Sequence, residues 1–280
     1  MGEIALLIFS LCLQAAIGTM LCITLGKVFY KDLVFKKAVL VTAILSVIGV
    51  LASLIHLGRP LSFLNSLNHL GGSWLSNEAF LAGIFMGITV LYALVLYVKP
   101  NNQTYNTVLR YAGSLVGLAT VFTMAKVYAT TAVPVWQGIN TYVDFYATTT
   151  AIGVMIFIVA GFKEIKNIDK RLLGIIILAS VIIQVTFAVP NAIGLSLNGM
   201  AAQASVKILN GMSVAVGLKW LLILGGAGIL MWSAAQETDF EATKSSTGWI
   251  YFAGLMLVIG ELIGRYVFYA AMMATTVGLT

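Results

Sequence analysis

The chain alternates between long apolar runs and short polar breaks. Eight runs reach the length of about 20 residues that a membrane-spanning helix requires. They cover residues of about 4–28, 38–57, 78–98, 108–130, 145–162, 171–190, 213–233 and 248–273. A membrane β-barrel would alternate apolar and polar side chains at every second position, and these runs do not. The pattern predicts an all-α integral membrane protein, a single domain of eight transmembrane helices over residues 1–280.

Prolines and glycines agree with these boundaries. Pro60, Pro100, Pro134 and Pro190 fall at or just beyond predicted helix ends, where a missing N–H does least harm. Glycines also recur four residues apart, a spacing that lets membrane helices approach closely. These pairs are Gly83/Gly87, Gly113/Gly117 and Gly260/Gly264. We expect them to pack helices against each other within the bundle.

Composition supports the membrane assignment. Hydrophobic residues make up 60% of the protein and charged residues 9%, with a mean hydropathy of +0.99. A soluble domain carries roughly 25% charged residues, so this protein lacks the polar surface of a water-soluble globule. The first apolar run is too long for a signal peptide and follows Glu3, so we expect it to remain as a helix.

The basic residues indicate an orientation. The net charge is +6, but the basic side chains lie in short loops, which argues for topology signals and against nucleic-acid binding. The loops after predicted helices one, three, five and seven contain Lys27, Lys31, Lys36, Lys37, Lys99, Arg110, Lys163, Lys166, Lys170, Arg171 and Lys244. The loops on the opposite side contain only Arg59 and Lys207. The positive-inside rule therefore places both termini in the periplasm of a bacterial inner membrane.

The longer connections fall on the predicted outer side, at residues of about 58–77, 131–144 and 191–212. Long structured loops on one face often carry binding sites, so we expect a site or a partner there. The alternative is that these are ordinary loops.

The densest polar stretch is HLGRPLSFLNSLNHLGGSWLSNE, from His56 to Glu78. His56 ends the second predicted helix and Glu78 opens the third, with Arg59 between them. A histidine beside a carboxylate at a membrane mouth suits proton acceptance from a hydroquinone, because imidazole titrates near neutral pH. The alternative is a hydrogen-bonded loop, and we assign His69 such a loop-structuring role.

Other ionisable side chains lie inside the predicted spans, where each is a functional candidate. Glu261 and Arg265 stand four residues apart and can form an ion pair within one helix. Lys126 and Lys219 lie near the outer helix ends, where lysines often extend to the interface. We retain Lys126 and Glu261 as candidate quinol-binding residues beside His56, Glu78 and Arg59.

The sequence has few candidate metal ligands. Both histidines belong to one loop region, which argues against a haem held between facing helices. The two cysteines, Cys12 and Cys22, lie in the first apolar run and cannot hold an iron–sulfur cluster. We expect no haem or metal in this protein, so any electrons would pass directly to a partner.

Four segments together resemble the DmsC family, the membrane anchor subunits of dimethyl sulfoxide reductase. They are HLGRP at 56–60, HLGGSWLSNE at 69–78, YATTAVPVW at 128–136 and GELIGRYVFY at 260–269. The resemblance implies an anchor that oxidises menaquinol and passes electrons to an iron–sulfur subunit with 4Fe–4S clusters. It also implies a catalytic subunit with a molybdenum bis-pterin guanine dinucleotide cofactor. In that family the residues matching His56 and Glu78 are tied to quinol binding, and Arg59 matches the motif arginine.

Two alternatives remain open. The first is a polysulfide reductase-type anchor, which also binds quinol but would carry a different polar motif set. The second is a secondary transporter with Glu261 and Lys126 on a substrate path, although no internal duplication supports it. The terminal electron acceptor is not specified, since an anchor does not touch it.

Overall fold

The computed structural model describes residues 2–56, 67–100, 102–161, 170–235 and 242–272. Over these ranges the regular structure is entirely helical. The helices are α1 (Gly2–Phe29), α2 (Lys36–His56), α3 (Trp74–Val98), α4 (Gln103–Ala129), α5 (Ile139–Ala160), α6 (Lys170–Leu197), α7 (Met200–Gly211), α8 (Ser213–Ala235) and α9 (Ala242–Ala270). Short 3₁₀ turns cover Leu67–His69 and Pro134–Trp136.

Within these ranges, eight helices are long and apolar enough to cross a membrane, and only the short α7 is not. The predicted all-α class and the predicted number of spans are therefore confirmed for the part of the protein that is described. Four helix starts were predicted too late, since α3 begins at Trp74, α4 at Gln103, α5 at Ile139 and α9 at Ala242. The first turns of these helices contain polar residues such as Asn77 and Asn140. A search for apolar runs leaves such residues out, although the end of a membrane helix accommodates them.

The predicted loop at residues 191–212 is wrong. The sixth span continues through Pro190 to Leu197, so Pro190 lies inside a helix and not beyond its end. Neighbouring groups in membrane bundles can compensate for the hydrogen bond that a proline removes, which explains why the helix does not stop there. The next residues form α7. This helix has only 12 residues and mixes apolar with polar side chains, so it is too short and too polar to span a membrane.

The fold divides into two compact units. The first comprises Met1–Met124 and Thr148–Lys170, and the second comprises Ala125–Ala147 and Arg171–Thr280. Helices α4 and α5 each contribute one part to each unit. The prediction of a single domain concerns how the units combine and stays a prediction.

The first unit is built around α1. Leu13, Gln14 and Thr19 point in different directions around the helix and have no exposed surface, so this helix is covered on several sides. Helix α1 packs on α2, and α2 packs on α3. The closest approach joins α1 to α5, where a Cβ placed on Gly18 would lie 1.9 Å from the Thr149 carbonyl oxygen and one on Gly153 would lie 2.3 Å from the Gly18 Cα.

In the second unit, α8 packs along α9. A Cβ on Gly226 would lie 2.8 Å from the Ala253 carbonyl oxygen, and one on Gly260 would lie 2.7 Å from Ile223. The predicted packing role is thus confirmed at Gly260. It is also confirmed in the first unit at Gly113 and Gly117, where a Cβ would lie 2.5 Å from Met20 and 2.9 Å from Ile17 respectively.

The same expectation is wrong for Gly83 and Gly87 as far as the described residues show. Apart from the adjoining backbone of α3 itself, no atom of the described part lies within 4 Å of a Cβ built at either glycine. The four-residue spacing alone did not distinguish a packed face of α3 from an open one.

We expect Gly18→Ala to destabilise the protein by about 1 to 3 kcal/mol, because the added methyl group must force α1 away from α5. Gly83→Ala is the matched control, since it adds the same atom to open space on α3. Unfolding of the purified variants in detergent, followed by circular dichroism, measures both effects. Equal stability of the two variants would show that the close approach at Gly18 is not needed.

Candidate functional site

Glu78 lies one turn inside α3 and not at its first residue, because the helix starts at Trp74. Its side chain is only 4% exposed, and the neighbouring Ser76 is equally buried. A carboxylate is one of the most costly side chains to place in a membrane helix. Its burial in the first unit marks this helix end as a candidate site.

The end of α2 lies at the same depth as Glu78. Consecutive spans run in opposite directions, and α2 is joined to α3 by a hydrogen bond of 2.8 Å between Ser46 Oγ and Thr89 Oγ1. His56 follows Ser46 by ten residues (56 minus 46), and Glu78 precedes Thr89 by eleven (89 minus 78). At about 1.5 Å per residue, both backbone positions are roughly 15 to 17 Å from that bond. The two predicted site residues therefore stand on adjacent helices at one level.

The segment leading into α3 is fixed by local hydrogen bonds. The His69 carbonyl accepts from the N–H groups of Gly72 (3.1 Å) and Ser73 (3.0 Å), while the His69 side chain is exposed. Gly71 has a φ of +81°, a conformation that favours glycine. Its N–H donates to Asn77 Oδ1 at 2.8 Å, which ties the turn to the first turn of α3. This segment is an ordered entry to the helix that carries Glu78.

The structure does not describe the side chains of two predicted site residues. Arg59 lies outside the described residues, and so does the side chain of His56, although His56 is the last residue of α2. Their proposed contacts with Glu78 stay predictions.

The second unit contains a buried charge cluster centred on Asp144. Its carboxylate lies 3.3 Å from Lys219 Nζ and 3.8 Å from Arg265 Nη1, and it accepts a 2.8 Å hydrogen bond from Gln184 Nε2. The Asp144 side chain is 17% exposed, while that of Arg265 is 1% exposed. One carboxylate of α5 thus holds side chains from α6, α8 and α9.

Asp144 was not identified from the sequence, because residues 131–144 were assigned to a loop. The structure places Asp144 more than a turn inside α5. A usable signal was present, since Lys219 was expected near the outer end of a span without an acidic partner. A carboxylate at the edge of the fifth apolar run was the available candidate.

Aromatic rings surround Arg265. Its guanidinium carbon lies 3.9 Å from the ring centre of Phe145 and 5.5 Å from that of Phe268. The Trp136 ring stacks on Phe268, with ring centres 5.4 Å apart, and its Nε1–H donates to the Phe268 carbonyl oxygen at 2.7 Å. Tyr128 also packs edge-to-face against Trp136 and Phe268. The YATTAVPVW and GELIGRYVFY segments therefore form one cluster.

Lys219 reaches Asp144 across a glycine. A Cβ on Gly264 would lie 2.6 Å from Lys219 Cε, so the absence of a side chain there leaves room for the lysine stem. Glu261 lies one turn before Arg265 on α9 and is 2% exposed. The predicted ion pair between Glu261 and Arg265 stays a prediction, whereas the contact of Arg265 with Asp144 is an additional one that was not expected.

Lys126 is half-buried near the end of α4. It belongs to the second unit with Glu261, whereas Glu78 belongs to the first. The predicted convergence of Lys126 and Glu261 on the site at Glu78 stays a prediction.

The second unit also contains an open pocket of about 1570 Å³. It lies between the turn at Pro134–Trp136, the last turns of α6 and the start of α7. The polar part of its lining consists of uncharged side chains, namely Gln137, Asn140, Thr186, Asn191 and Asn198. This pocket arises from the continuation of α6 and the presence of α7, neither of which was expected from the sequence.

Among the described residues, no three His, Cys, Asp or Glu side chains are grouped as metal ligands would be. Eight candidate spans with charged side chains buried between them define a multi-pass helical membrane protein.

Residues 1–271 match the family model of the DMSO reductase anchor subunit (DmsC). The protein therefore belongs to the DmsC family, and the resemblance noted from its motifs is confirmed. It is a membrane anchor of the DMSO reductase type, and membership implies association with catalytic and iron–sulfur subunits.

Curated relatives agree with this assignment. The sequence is 28% identical over 235 residues to the C subunit of the anaerobic dimethyl sulfoxide reductase of Escherichia coli (strain K12), covering 83% of this protein and 79% of that one. It is 27% identical over 283 residues to the YnfH subunit of the anaerobic dimethyl sulfoxide reductase of the same organism, covering 99% and 96%. The corresponding C subunit of Haemophilus influenzae is 31% identical over 157 residues, covering 54% and 56%.

Proposed function

We propose that this anchor subunit oxidises menaquinol at a site formed by His56 and Glu78 near the periplasmic face. The observation that supports it most directly is the buried carboxylate of Glu78 at the level where α2 ends in His56. Buried ionisable groups in membrane helices are costly and usually serve a function. A site at a helix end is also open to a lipid-soluble substrate entering from the bilayer.

The chemistry follows from what a quinol must lose. Its oxidation to the quinone releases two protons and two electrons. Glu78 or His56 accepts a hydroxyl proton, because both residue types can titrate between the acidic and neutral range when their surroundings change. Arg59 is a further candidate for orienting the ring. Lys126 and Glu261 remain candidates from the second unit, with less direct support.

The electrons pass to a partner subunit. We propose that an iron–sulfur subunit with 4Fe–4S clusters docks on the periplasmic loops and delivers electrons to a molybdenum bis-pterin guanine dinucleotide subunit. The orientation in a bacterial inner membrane rests on the distribution of basic residues between the loops. The names of the relatives suggest anaerobic respiration, while the terminal acceptor stays open. Family membership favours this anchor role over the transporter alternative.

Affinity purification of the protein from membranes is expected to recover two larger subunits that carry molybdenum and iron. In proteoliposomes, the complex is expected to oxidise menaquinol without generating a membrane potential. The physical reason is that protons and electrons both leave on the outer side, so no net charge crosses the bilayer. A potential-sensitive dye and a quinol absorbance assay, run on one sample, measure both quantities.

Different results would contradict different parts of this proposal. A protein that purifies alone, without molybdenum or iron, would support the transporter alternative. A membrane potential that grows with quinol oxidation would contradict the placement of proton release on the outer side, while leaving the quinol activity itself intact.

A further inference from the structure

The end of the first unit opposite to Glu78 contains a second buried ionisable group, Arg110. It lies on α4 beside the last turns of α1. Thr24 Oγ1 donates to the Arg110 carbonyl oxygen at 3.4 Å and is 2.7 Å from Ser114 Oγ. Gly113 lets α1 approach closely at the same place, since a Cβ there would lie 2.5 Å from Met20 Cε. The backbone that carries Arg110 is therefore fixed against α1.

The guanidinium of Arg110 has no acidic partner in the described part of the protein. The residue is 7% exposed, and its Nε makes no hydrogen bond there. Its Cζ lies 5.0 Å from the ring centre of Tyr111. The nearby acid, Asp32, is exposed and acts on Lys27, which itself lies within electrostatic range of Arg110. Asp32 therefore offsets the charge of Lys27 and leaves that of Arg110 unpaired among the described residues.

A polar group one turn from Arg110 is also unsatisfied. Asn106 Nδ2 donates to the Pro100 carbonyl oxygen at 3.2 Å, but its Oδ1 is buried and has no hydrogen-bond partner among the described residues. Leaving a buried cation and a buried acceptor unpaired is costly. A ligand that completes this place would combine an anionic oxygen for Arg110 with a hydroxyl or ammonium donor for Asn106.

The surroundings of this place fit a lipid. Arg110 follows the start of α4 by seven residues (110 minus 103), or roughly 10 Å, which is a depth that a headgroup phosphate can reach. Apolar side chains close to this place along both helices are exposed, with exposed fractions of 54% for Leu25, 45% for Val28 and 58% for Val108. They offer contact to acyl chains, which a free phosphate ion does not need.

We propose that Arg110, with Lys27, binds the phosphate of an anionic phospholipid in the groove between the end of α1 and the start of α4. Phosphatidylglycerol meets the requirement, because its phosphate can pair with Arg110 and its glycerol hydroxyls can donate to Asn106. The site is separate from the quinol chemistry and does not depend on it.

The test uses the full complex in phosphatidylcholine nanodiscs with or without phosphatidylglycerol. Retained lipid is counted by native mass spectrometry, and the thermal midpoint is measured in parallel. Arg110→Gln is expected to retain at least about 10-fold less phosphatidylglycerol, because it removes the charge that pairs with the phosphate. It is also expected to lose the rise in midpoint that this lipid gives the wild type. Lys37→Gln, which removes an exposed cation at the same end, is the matched control and should behave as wild type.

Three outcomes would overturn the proposal. The first is equal retention by wild type and Arg110→Gln, and the second is a wild type that shows no preference for phosphatidylglycerol. The third is full stabilisation of the phosphatidylcholine sample by inorganic phosphate alone, which would identify a free anion as the ligand. Arg110→Lys keeps the charge and should retain the lipid preference, so the comparison of the two lipids stays decisive even where Arg110→Gln does not assemble.

Discussion

Glu78→Gln is expected to lower menaquinol oxidation by at least about 100-fold, since a positioned proton acceptor typically contributes 10²- to 10⁴-fold. The amide keeps the size of the side chain and its place in α3 but cannot take a proton from the quinol. The assembled complex should still reduce its terminal acceptor with an artificial electron donor that bypasses the anchor. Quinol-dependent and donor-dependent rates, measured on the same membranes, separate these effects. His56→Ala should show the same pattern.

The control for Glu78→Gln is Asp32→Asn, which neutralises an exposed carboxylate after α1 and should leave the quinol-dependent rate unchanged. Normal quinol oxidation by an assembled Glu78→Gln or His56→Ala variant would show that the site is elsewhere. Loss of both rates would instead indicate an assembly defect. In that case the amount of catalytic subunit on the membrane would decide between the explanations.

Asp144→Asn is expected to destabilise the second unit by about 3 kcal/mol, because breaking a buried ion pair leaves cations without their carboxylate. The substitution removes the group that contacts Lys219 and Arg265 and weakens the bond from Gln184. Denaturant or thermal unfolding of the purified complex, followed at the tryptophans of this unit, measures the change.

A double-mutant cycle separates the Asp144 ion pair from general damage. Lys219→Met removes one of the two cations and keeps an apolar stem beside Gly264. If the ion pair matters, Asp144→Asn combined with Lys219→Met should cost less than the sum of the single changes. Additive losses would show that the 3.3 Å contact contributes nothing of its own to stability.

How much of this fold follows from sequence depends on which force decides each element. The spans were predictable because a bilayer requires a long apolar run, which a window can count. The first residues of the helices were harder to predict, since Asn77 and Asn140 are polar residues that a helix end tolerates. Pro190 and α7 were missed for a related reason: packing and the water interface decide whether such segments are helical, and neither appears in a count of apolar residues.

The candidate site shows the same division. Glu78 could be identified because a carboxylate beside an apolar run is visible in the sequence alone. Asp144 could not be identified together with its partners, because Lys219 and Arg265 are brought to it by the packing of α5, α8 and α9. The absence of an acidic partner for Arg110 in the described ranges likewise became visible only once the neighbouring helices were in place.

The close approach at Gly18 has a consequence for the order of assembly during synthesis. Thr19, next to that glycine, hydrogen-bonds through its hydroxyl to the Gly153 carbonyl oxygen, 134 residues later in the sequence. A ribosome adds about 5 to 20 residues per second, so α1 waits roughly 7 to 27 s in the membrane before its partner exists. During that interval its small-residue face is available to lipids or insertion factors. Helix α1 therefore becomes fully packed only when α5, made much later than itself, reaches the bilayer.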